Sequence, residues 1–203
     1  MYLRKLISAI VAAGCFVAAA AVATPVSAAS GGGCQLQGSA GFSPGLTNTS
    51  QAFTYHFAGS LTGCQSTVPG SPASGTVSAG NVETASTGEQ FQEPVATGSG
   101  TCANGTTSGI AIATWADGTQ TVISYSTSSA GAGVVLQGMV VPSVTLQAIN
   151  PGPGQPTSMT VSTTRYAGDS AQGQLVFQAD PTQCSGAGLA SAGISGTTEL
   201  IGS

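Results

Sequence analysis

The chain has 203 residues, of which 41% are hydrophobic and only 5% are charged. This length fits one domain, and the hydrophobic share excludes a disordered chain, because disordered chains lack the apolar surface to build a core. Two of the three cations, Arg4 and Lys5, lie at the N-terminus and leave one, Arg165, against seven acidic residues, which excludes binding to nucleic acid or to an anionic membrane surface.

The N-terminal residues 1–28 have the layout of a secretory signal peptide. A basic start precedes the apolar run 6–23, and small residues follow at Val26 and Ala28, where signal peptidase would need them. Alternatively Cys15 could carry a lipid, but the apolar run continues beyond it where a lipoprotein has a polar tether. We expect cleavage after Ala28 or the next residue, giving a secreted, extracellular protein with no membrane span.

Beyond a flexible lead-in at 29–33, we expect residues 34–203 to form one disulfide-stabilised β-domain. Apolar residues recur at every second position, which is the period of a strand. The predicted strands lie near 34–42, 52–63, 74–84, 93–102, 133–141, 143–149, 158–166, 171–179 and 189–201, with a hairpin over 108–126. About nine to eleven short strands predict an antiparallel all-β domain, either a meandering barrel or a sandwich. We favour the barrel, because successive hairpins are short and strand glycines such as Gly98 fit tight curvature.

The hairpin over 108–126 has the clearest turn signal. Asp117-Gly118 is typical of a two-residue turn. Folding there sets Ile112 opposite Ile123 and puts the large apolar residues of both strands on one face. We therefore expect that face to be buried.

Four cysteines remain after signal removal, and an even number in an exported chain predicts disulfides. The first two predicted strands fold as a hairpin that places Cys34 opposite Cys64. The remaining pair is then Cys102 with Cys184. A zinc site is the alternative, but no cysteine pair has metal-site spacing and the chain has a single histidine, His56.

The sharpest catalytic candidate is the Gly-Asp-Ser segment at 168–170, which is similar to the start of the nucleophile motif of trypsin-like serine proteases. His56, Asp117 and Ser170 also follow the His–Asp–Ser order of that family. However, Ala and Gln follow the serine where the family has two glycines, and His56 lacks the Ala-His-Cys context. We interpret the segment as a hairpin turn, whose residue types turns prefer.

Glu89 and Glu93 are the only closely spaced carboxylates that suggest glycoside hydrolysis or calcium binding. Their polar neighbours favour a solvated loop instead. We therefore predict no catalytic, cofactor-binding or metal-binding residue, and no enzyme.

Two residues are candidates for binding, Trp115 and Arg165. Trp115 either covers the end of a sheet or forms an exposed platform for a ligand such as a sugar ring. Arg165 either pairs with an acidic residue, reaches water at a strand end, or anchors an anionic ligand group in the barrel mouth. His56 is interpreted as a surface strand residue.

The resulting expectation is a non-catalytic secreted module that binds an extracellular polymer, a surface or a partner protein. The alternative is a carrier with an apolar site for a small molecule inside a β-barrel, and an extracellular hydrolase ranks last. A ligand-sized lumen lined by alternating residues would favour the carrier. A filled core with aromatic residues exposed at one rim would favour the module.

Overall fold

Alternating apolar and polar residues build strands along most of the chain. The computed structural model describes residues 30–202, so the predicted signal peptide at 1–28 lies outside the described residues. Strands make up 65% of the structure and helix 2%. The elements are β1 (Ser30–Leu46), β2 (Gln51–Gln65), β3 (Gly75–Ala79), β4 (Val82–Thr84), β5 (Gln90–Gln92), β6 (Ala96–Gly100), β7 (Asn104–Trp115), β8 (Gln120–Ala130), β9 (Gly133–Val141), β10 (Ser143–Ala148), β11 (Ser158–Ser162), β12 (Ser170–Gln178), a 3-10 turn (Pro181–Cys184) and β13 (Leu189–Ile201).

Eight strand positions close into an antiparallel barrel. Each position pairs with the next along the chain, and β13 pairs back onto β1. The third position is shared, because β3 and β6 each lie between β2 and β7 at different heights. The predicted antiparallel all-β domain is therefore confirmed, with the meandering barrel rather than the sandwich.

A second sheet covers one side of the barrel. The chain leaves the barrel wall twice, to form β4 and β5 and later β10 and β11, and β5 pairs with β10 to join the two excursions. Phe91, Leu146 and Val161 of this sheet pack with Ile112 and Val122 from β7 and β8. The outer face of the β7–β8 hairpin is therefore apolar where the second sheet covers it.

The predicted register of the 108–126 hairpin is wrong by one residue. Ile112 lies opposite Val122, and Ile123 lies opposite Ala111. The loop has three residues between Trp115 and Thr119, whose backbone N–H and C=O pair at 2.9 Å, instead of the two expected. One extra residue reverses the faces of one strand relative to the other, so Ile112 packs under the second sheet while Ile123 lines the barrel.

The N-terminal segment also differs from expectation. Residues 30–33 belong to β1 instead of forming a flexible lead-in, because Gly32 and Gly33 pair with Leu200 and Glu199 of β13. No helix among residues 30–202 is long and apolar enough to span a membrane.

Both predicted disulfides are present. Cys34 and Cys64 bridge β1 and β2, with 4.1 Å between their Cα atoms. Cys102 and Cys184 bridge the β6–β7 connection to the 3-10 turn, with a Cα distance of 6.0 Å. The bridges lie at opposite ends of the barrel, which we name the Trp115 end, beside Cys34, and the Cys102 end.

Candidate functional site

The barrel encloses a cavity of about 190 Å³. Side chains from alternate positions of every barrel strand face inward, as the pleat requires. Several of these inward apolar side chains stay half-buried although they lie inside the barrel, because they border the cavity; they are Phe57, Ile123, Val134, Leu136 and Ile194. The lumen is therefore a lined cavity and not a filled core.

Glycines on the inner wall make room for aromatic rings. A Cβ on Gly38 would lie 2.7 Å from Cζ of Phe57, and a Cβ on Gly59 would lie 2.8 Å from the same atom. On the other side of the barrel, a Cβ on Gly109 would lie 2.9 Å from the Tyr125 hydroxyl. The Phe57 and Tyr125 rings therefore occupy space that a side chain at these positions would fill. Only glycine, which has no Cβ, leaves that space free.

Aromatic side chains gather towards the Cys102 end. Phe42 contacts Phe53, Tyr55 and Phe177, with ring centroids 5.7 to 6.4 Å apart. Such separations are typical of favourable edge and tilted ring contacts. This cluster forms one part of the cavity lining.

Four hydroxyl groups form a chain inside the lumen, in the order Tyr125, Tyr55, Thr107 and Thr127. Tyr55 Oη bonds to Tyr125 Oη and donates to Thr107 Oγ1 at 3.2 Å, and the Thr107 and Thr127 hydroxyl oxygens lie 2.7 Å apart. All four residues line the cavity. Burial raises the pKa of both tyrosine hydroxyls, and for Tyr125 the neighbouring Tyr55 raises it further. The hydroxyl chain therefore stays protonated and uncharged at neutral pH.

Sequence reasoning missed this hydroxyl chain. Tyr55 is visible as an inward position of β2, since it alternates with polar residues. Thr107 and Thr127 give no such signal, because threonine and serine occupy both faces of β7 and β8 near this end. Only the register between the two strands, which sets Thr107 opposite Thr127, brings them together.

Trp115 lines the opposite end of the lumen. Its side chain is only 5% exposed, and its indole N–H donates to Thr121 Oγ1 at 2.9 Å. Tyr166 packs edge-on against the indole at 5.4 Å between centroids. Trp115 is therefore an inner wall residue, and the exposed platform considered for it is not present.

Arg165 forms a structural pair. Its Nη2 lies 2.5 Å from Asp117 Oδ2, its Nε donates to Thr119 Oγ1 at 3.0 Å, and its guanidinium lies 5.8 Å from the centre of the Tyr166 ring. Arg165 is not among the residues that line the cavity. The guanidinium is thus engaged outside the lumen and is not placed to anchor an anionic ligand there.

The residues considered for a serine-protease triad are not assembled. The His56 side chain faces outward from β2 and lies over Gly41 of β1. Asp117 is held by Arg165 and Thr119, and no hydrogen bond in the described part of the chain joins His56, Asp117 and Ser170.

The prediction that Glu93 lies in a solvated loop is wrong. Glu93 is 1% exposed, and its carboxylate accepts hydrogen bonds from Ser78 Oγ at 2.5 Å and from the Asn81 backbone N–H at 2.9 Å. Glu93 lies where the third strand position of the barrel changes from β3 to β6. The Ser78 hydroxyl and the Asn81 N–H are the polar groups that it meets at this interruption of the strand pairing. Burial, followed by the nearby Glu83 carboxylate, raises the pKa of Glu93.

Glu89 stays apart from this cluster, since its carboxylate accepts from the Thr87 hydroxyl, which lowers its pKa. Among residues 30–202, no three His, Cys, Asp or Glu side chains come together as a metal site would require. The lumen is therefore the site whose geometry most resembles a binding site. Comparisons with protein-family models, with curated proteins and with solved structures find no match.

Proposed function

We propose that this protein binds and carries a small apolar molecule inside its barrel. The observation that carries the proposal is the cavity of about 190 Å³, lined from every side by inward apolar residues. Apolar cavities of roughly 150 Å³ in other proteins admit molecules as large as benzene. Small β-barrels with a lined interior are also a common way to hold one small ligand.

The charge of the lining supports an uncharged cargo. Glu199 is the one charged residue among the lining side chains described, and it lies exposed at the Trp115 end. Disulfides at both ends tie the strands together, which suits a binding protein that acts outside the cell. We include secretion in the proposal, because the N-terminal 28 residues have the signal-peptide layout.

The alternative, a module that binds an extracellular polymer, has weaker support. Sugar polymers are commonly held on exposed aromatic rings, whereas Trp115 is buried. The exposed large apolar side chains in the described part of the chain are valines and one methionine: Val68, Val82, Val95, Val135, Met139 and Val176. None of these can stack on a sugar ring.

Titration of the mature protein with 1-naphthylamine tests the proposal, because this fluorescent two-ring molecule is uncharged at neutral pH and small enough for the cavity of about 190 Å³. Trp115 is the only tryptophan of the chain and lines the cavity, so its fluorescence should fall as the ligand fills the lumen. We expect saturable binding of one molecule per chain. An absence of saturable binding would overturn the proposal.

Adjacent residues of β9 provide a matched pair of variants. Val134 faces the lumen and Val135 faces outward, where it is 47% exposed. We expect Val134→Phe to fill the cavity and abolish binding, and Val135→Phe to leave binding unchanged. Leu136→Phe, which also faces the lumen, is a second filling variant. Equal binding by the inward and outward variants would place the ligand outside the barrel.

A further inference from the structure

We propose that the molecule held in the lumen is uncharged, has an apolar body and carries one hydroxyl or carbonyl group, and that the hydroxyl chain binds this group. The inference rests on the proposed function and specifies its ligand. The four hydroxyls belong to β2, β7 and β8, and they meet on the inner surface of the cavity towards the Cys102 end. They form a connected polar group in a lining that is mostly carbon, whose other polar members are Thr101, Ser129, Gln172, Thr198 and Glu199.

Counting protons shows that the hydroxyl chain has spare hydrogen-bonding capacity. Four hydroxyl groups carry four protons, and the three contacts between them use three. Because Tyr55 donates to Thr107, Tyr125 donates to Tyr55, and the proton left to donate to a further acceptor belongs to Thr107 or Thr127. The oxygens at the two ends also keep lone pairs that can accept. A ligand hydroxyl or carbonyl placed beside the chain would satisfy this capacity.

The surroundings select against a charged ligand group. A buried carboxylate or sulfonate needs a cation beside it, and neither lysine, arginine nor histidine lines the cavity in the described part of the chain. Arg165 is already paired with Asp117. A cationic group finds only Glu199, which is exposed at the far end of the barrel. Both tyrosines remain neutral, since burial raises their pKa values.

The two ends of the lumen give the ligand an orientation. The inner wall beside Trp115 is mainly buried carbon, including Leu36, Leu61 and Leu200, which are each 6% exposed, and Glu199 at this end is exposed to solvent. The hydroxyl chain lies beyond the middle of the barrel, next to the aromatic cluster of Phe42 and Phe53. The apolar body would therefore point towards Trp115, with its polar group towards the Cys102 end.

Competition between three closely related molecules tests this ligand class. Naphthalene, 2-naphthol and 2-naphthoate share one ring system and differ in their polar group. Each displaces bound 1-naphthylamine according to its own affinity. We expect 2-naphthol to bind roughly fivefold more tightly than naphthalene, which is the effect of about one net hydrogen bond. We expect 2-naphthoate to bind more weakly than either.

Variants of the hydroxyl chain should remove the preference without removing binding. Tyr125→Phe and Thr127→Val each delete one terminal hydroxyl and leave the shape of the rest of the side chain nearly unchanged. The affinities for 2-naphthol and naphthalene should therefore converge. Tyr166→Phe is the control, because this tyrosine lies at the Trp115 end and does not line the cavity. It should keep the full preference. Thr107→Val gives the same test if a tyrosine variant does not fold.

The outcomes separate this inference from the proposed function. Equal affinity of the wild-type protein for 2-naphthol and naphthalene, or strongest binding of 2-naphthoate, would overturn the ligand class while lumen binding stands. A preference that survives in all three hydroxyl-chain variants would overturn the role of these residues. No binding of 1-naphthylamine would overturn both the ligand class and the proposed function.

Discussion

The ring of Phe57 covers Gly38 on the neighbouring strand, and a Cβ at Gly38 would lie 2.7 Å from its Cζ atom. The same Cβ would lie 2.3 Å from the carbonyl oxygen of Ala58, a backbone atom that cannot turn aside. Gly38 pairs with Gly59, whose own Cβ position is also occupied by the Phe57 ring. The β1–β2 contact therefore depends on two facing glycines.

The first prediction follows from this contact. Gly38→Ala should lower the free energy of unfolding by about 3 kcal/mol, because the added methyl group forces the two strands apart. Gly133→Ala is the control, since the nearest atom to its Cβ position is 3.6 Å away, and it should change stability by less than about 0.5 kcal/mol. Urea unfolding of both variants measures the difference. Equal effects would show that β1 and β2 do not pack as closely as described.

The second prediction concerns the two disulfides. The Cys102–Cys184 bridge spans 82 residues of sequence and the Cys34–Cys64 bridge spans 30. Loop-closure entropy then assigns about 4.5 kcal/mol to the former and about 3.6 kcal/mol to the latter. Cys34 and Cys64 also lie on strands that are already paired, whereas Cys102 and Cys184 join segments outside the barrel ladder.

Replacing both cysteines of one bridge by alanine tests this order. The variant lacking Cys102–Cys184 should have the lower unfolding midpoint of the two double variants. Thermal unfolding monitored by circular dichroism measures both. A larger loss on removal of Cys34–Cys64 would contradict the loop-entropy argument.

The barrel class and the Cys34–Cys64 bridge could be predicted from the sequence because both depend on short-range patterns, and Cys102–Cys184 followed as the remaining pair. Alternation along residues such as Phe53, Tyr55 and Phe57 marks a half-buried strand, and a hairpin brings Cys34 to Cys64. The register at Asp117 could not be predicted by the same means. A three-residue loop and a two-residue loop both accept Asp followed by Gly, and the choice reverses one face.

The second sheet and the burial of Glu93 could not be predicted from the sequence either. Strands β4 and β5 have three residues each, which is too short for a period to show. Glu93 follows β5 in a polar stretch, yet it is buried because the break between β3 and β6 supplies its donors, Ser78 and Asn81. The hydroxyl chain depends on contacts between residues 52 and 70 positions apart, which no local pattern records.

The third prediction concerns the ion pair at the Trp115 end. Hydrogen bonds from the Thr119 hydroxyl, then from its backbone N–H, and then Arg165 lower the pKa of Asp117. The folded protein therefore gains stability from ionised Asp117 at neutral pH and loses it as the pH falls through the lowered pKa. Arg165→Met should lower the unfolding midpoint at neutral pH and leave binding of 1-naphthylamine unchanged.

Thr119→Val provides the comparison for that pair. Because the Thr119 hydroxyl is the largest cause of the shift, this variant should flatten the acid dependence of stability more than Arg165→Met does. Unfolding midpoints between about pH 2 and about pH 7 measure the effect. Loss of ligand binding in Arg165→Met would show that the arginine takes part in the lumen site after all.

The fourth prediction concerns Glu93, whose contribution to stability changes with pH in the opposite direction to that of Asp117. Because burial raises its pKa, the folded protein takes up a proton at higher pH than the unfolded chain does. The stability linked to Glu93 is therefore fully present below the ordinary glutamate pKa and is lost as the pH rises through the raised value. Ionised Glu93 is also repelled by the Glu83 carboxylate. Its charge raises the pKa of the Tyr125 hydroxyl as well.

Glu93→Gln should remove the free-energy cost of ionising a buried carboxyl group at high pH while it keeps the local contacts. The amide oxygen can accept from the Asn81 N–H, and the amide NH₂ can donate to Ser78 Oγ, whose proton is then free for Glu83 Oε1, 3.4 Å away. We expect the variant to be more stable than the parent at about pH 8, with the difference shrinking towards about pH 4. Glu89→Gln is the matched control, because the Thr87 hydroxyl lowers the pKa of Glu89 and the variant should lose stability at high pH instead. If Glu93→Gln is instead less stable than the parent at about pH 8, with the loss shrinking towards about pH 4, the ionised carboxylate is the form that the folded protein needs.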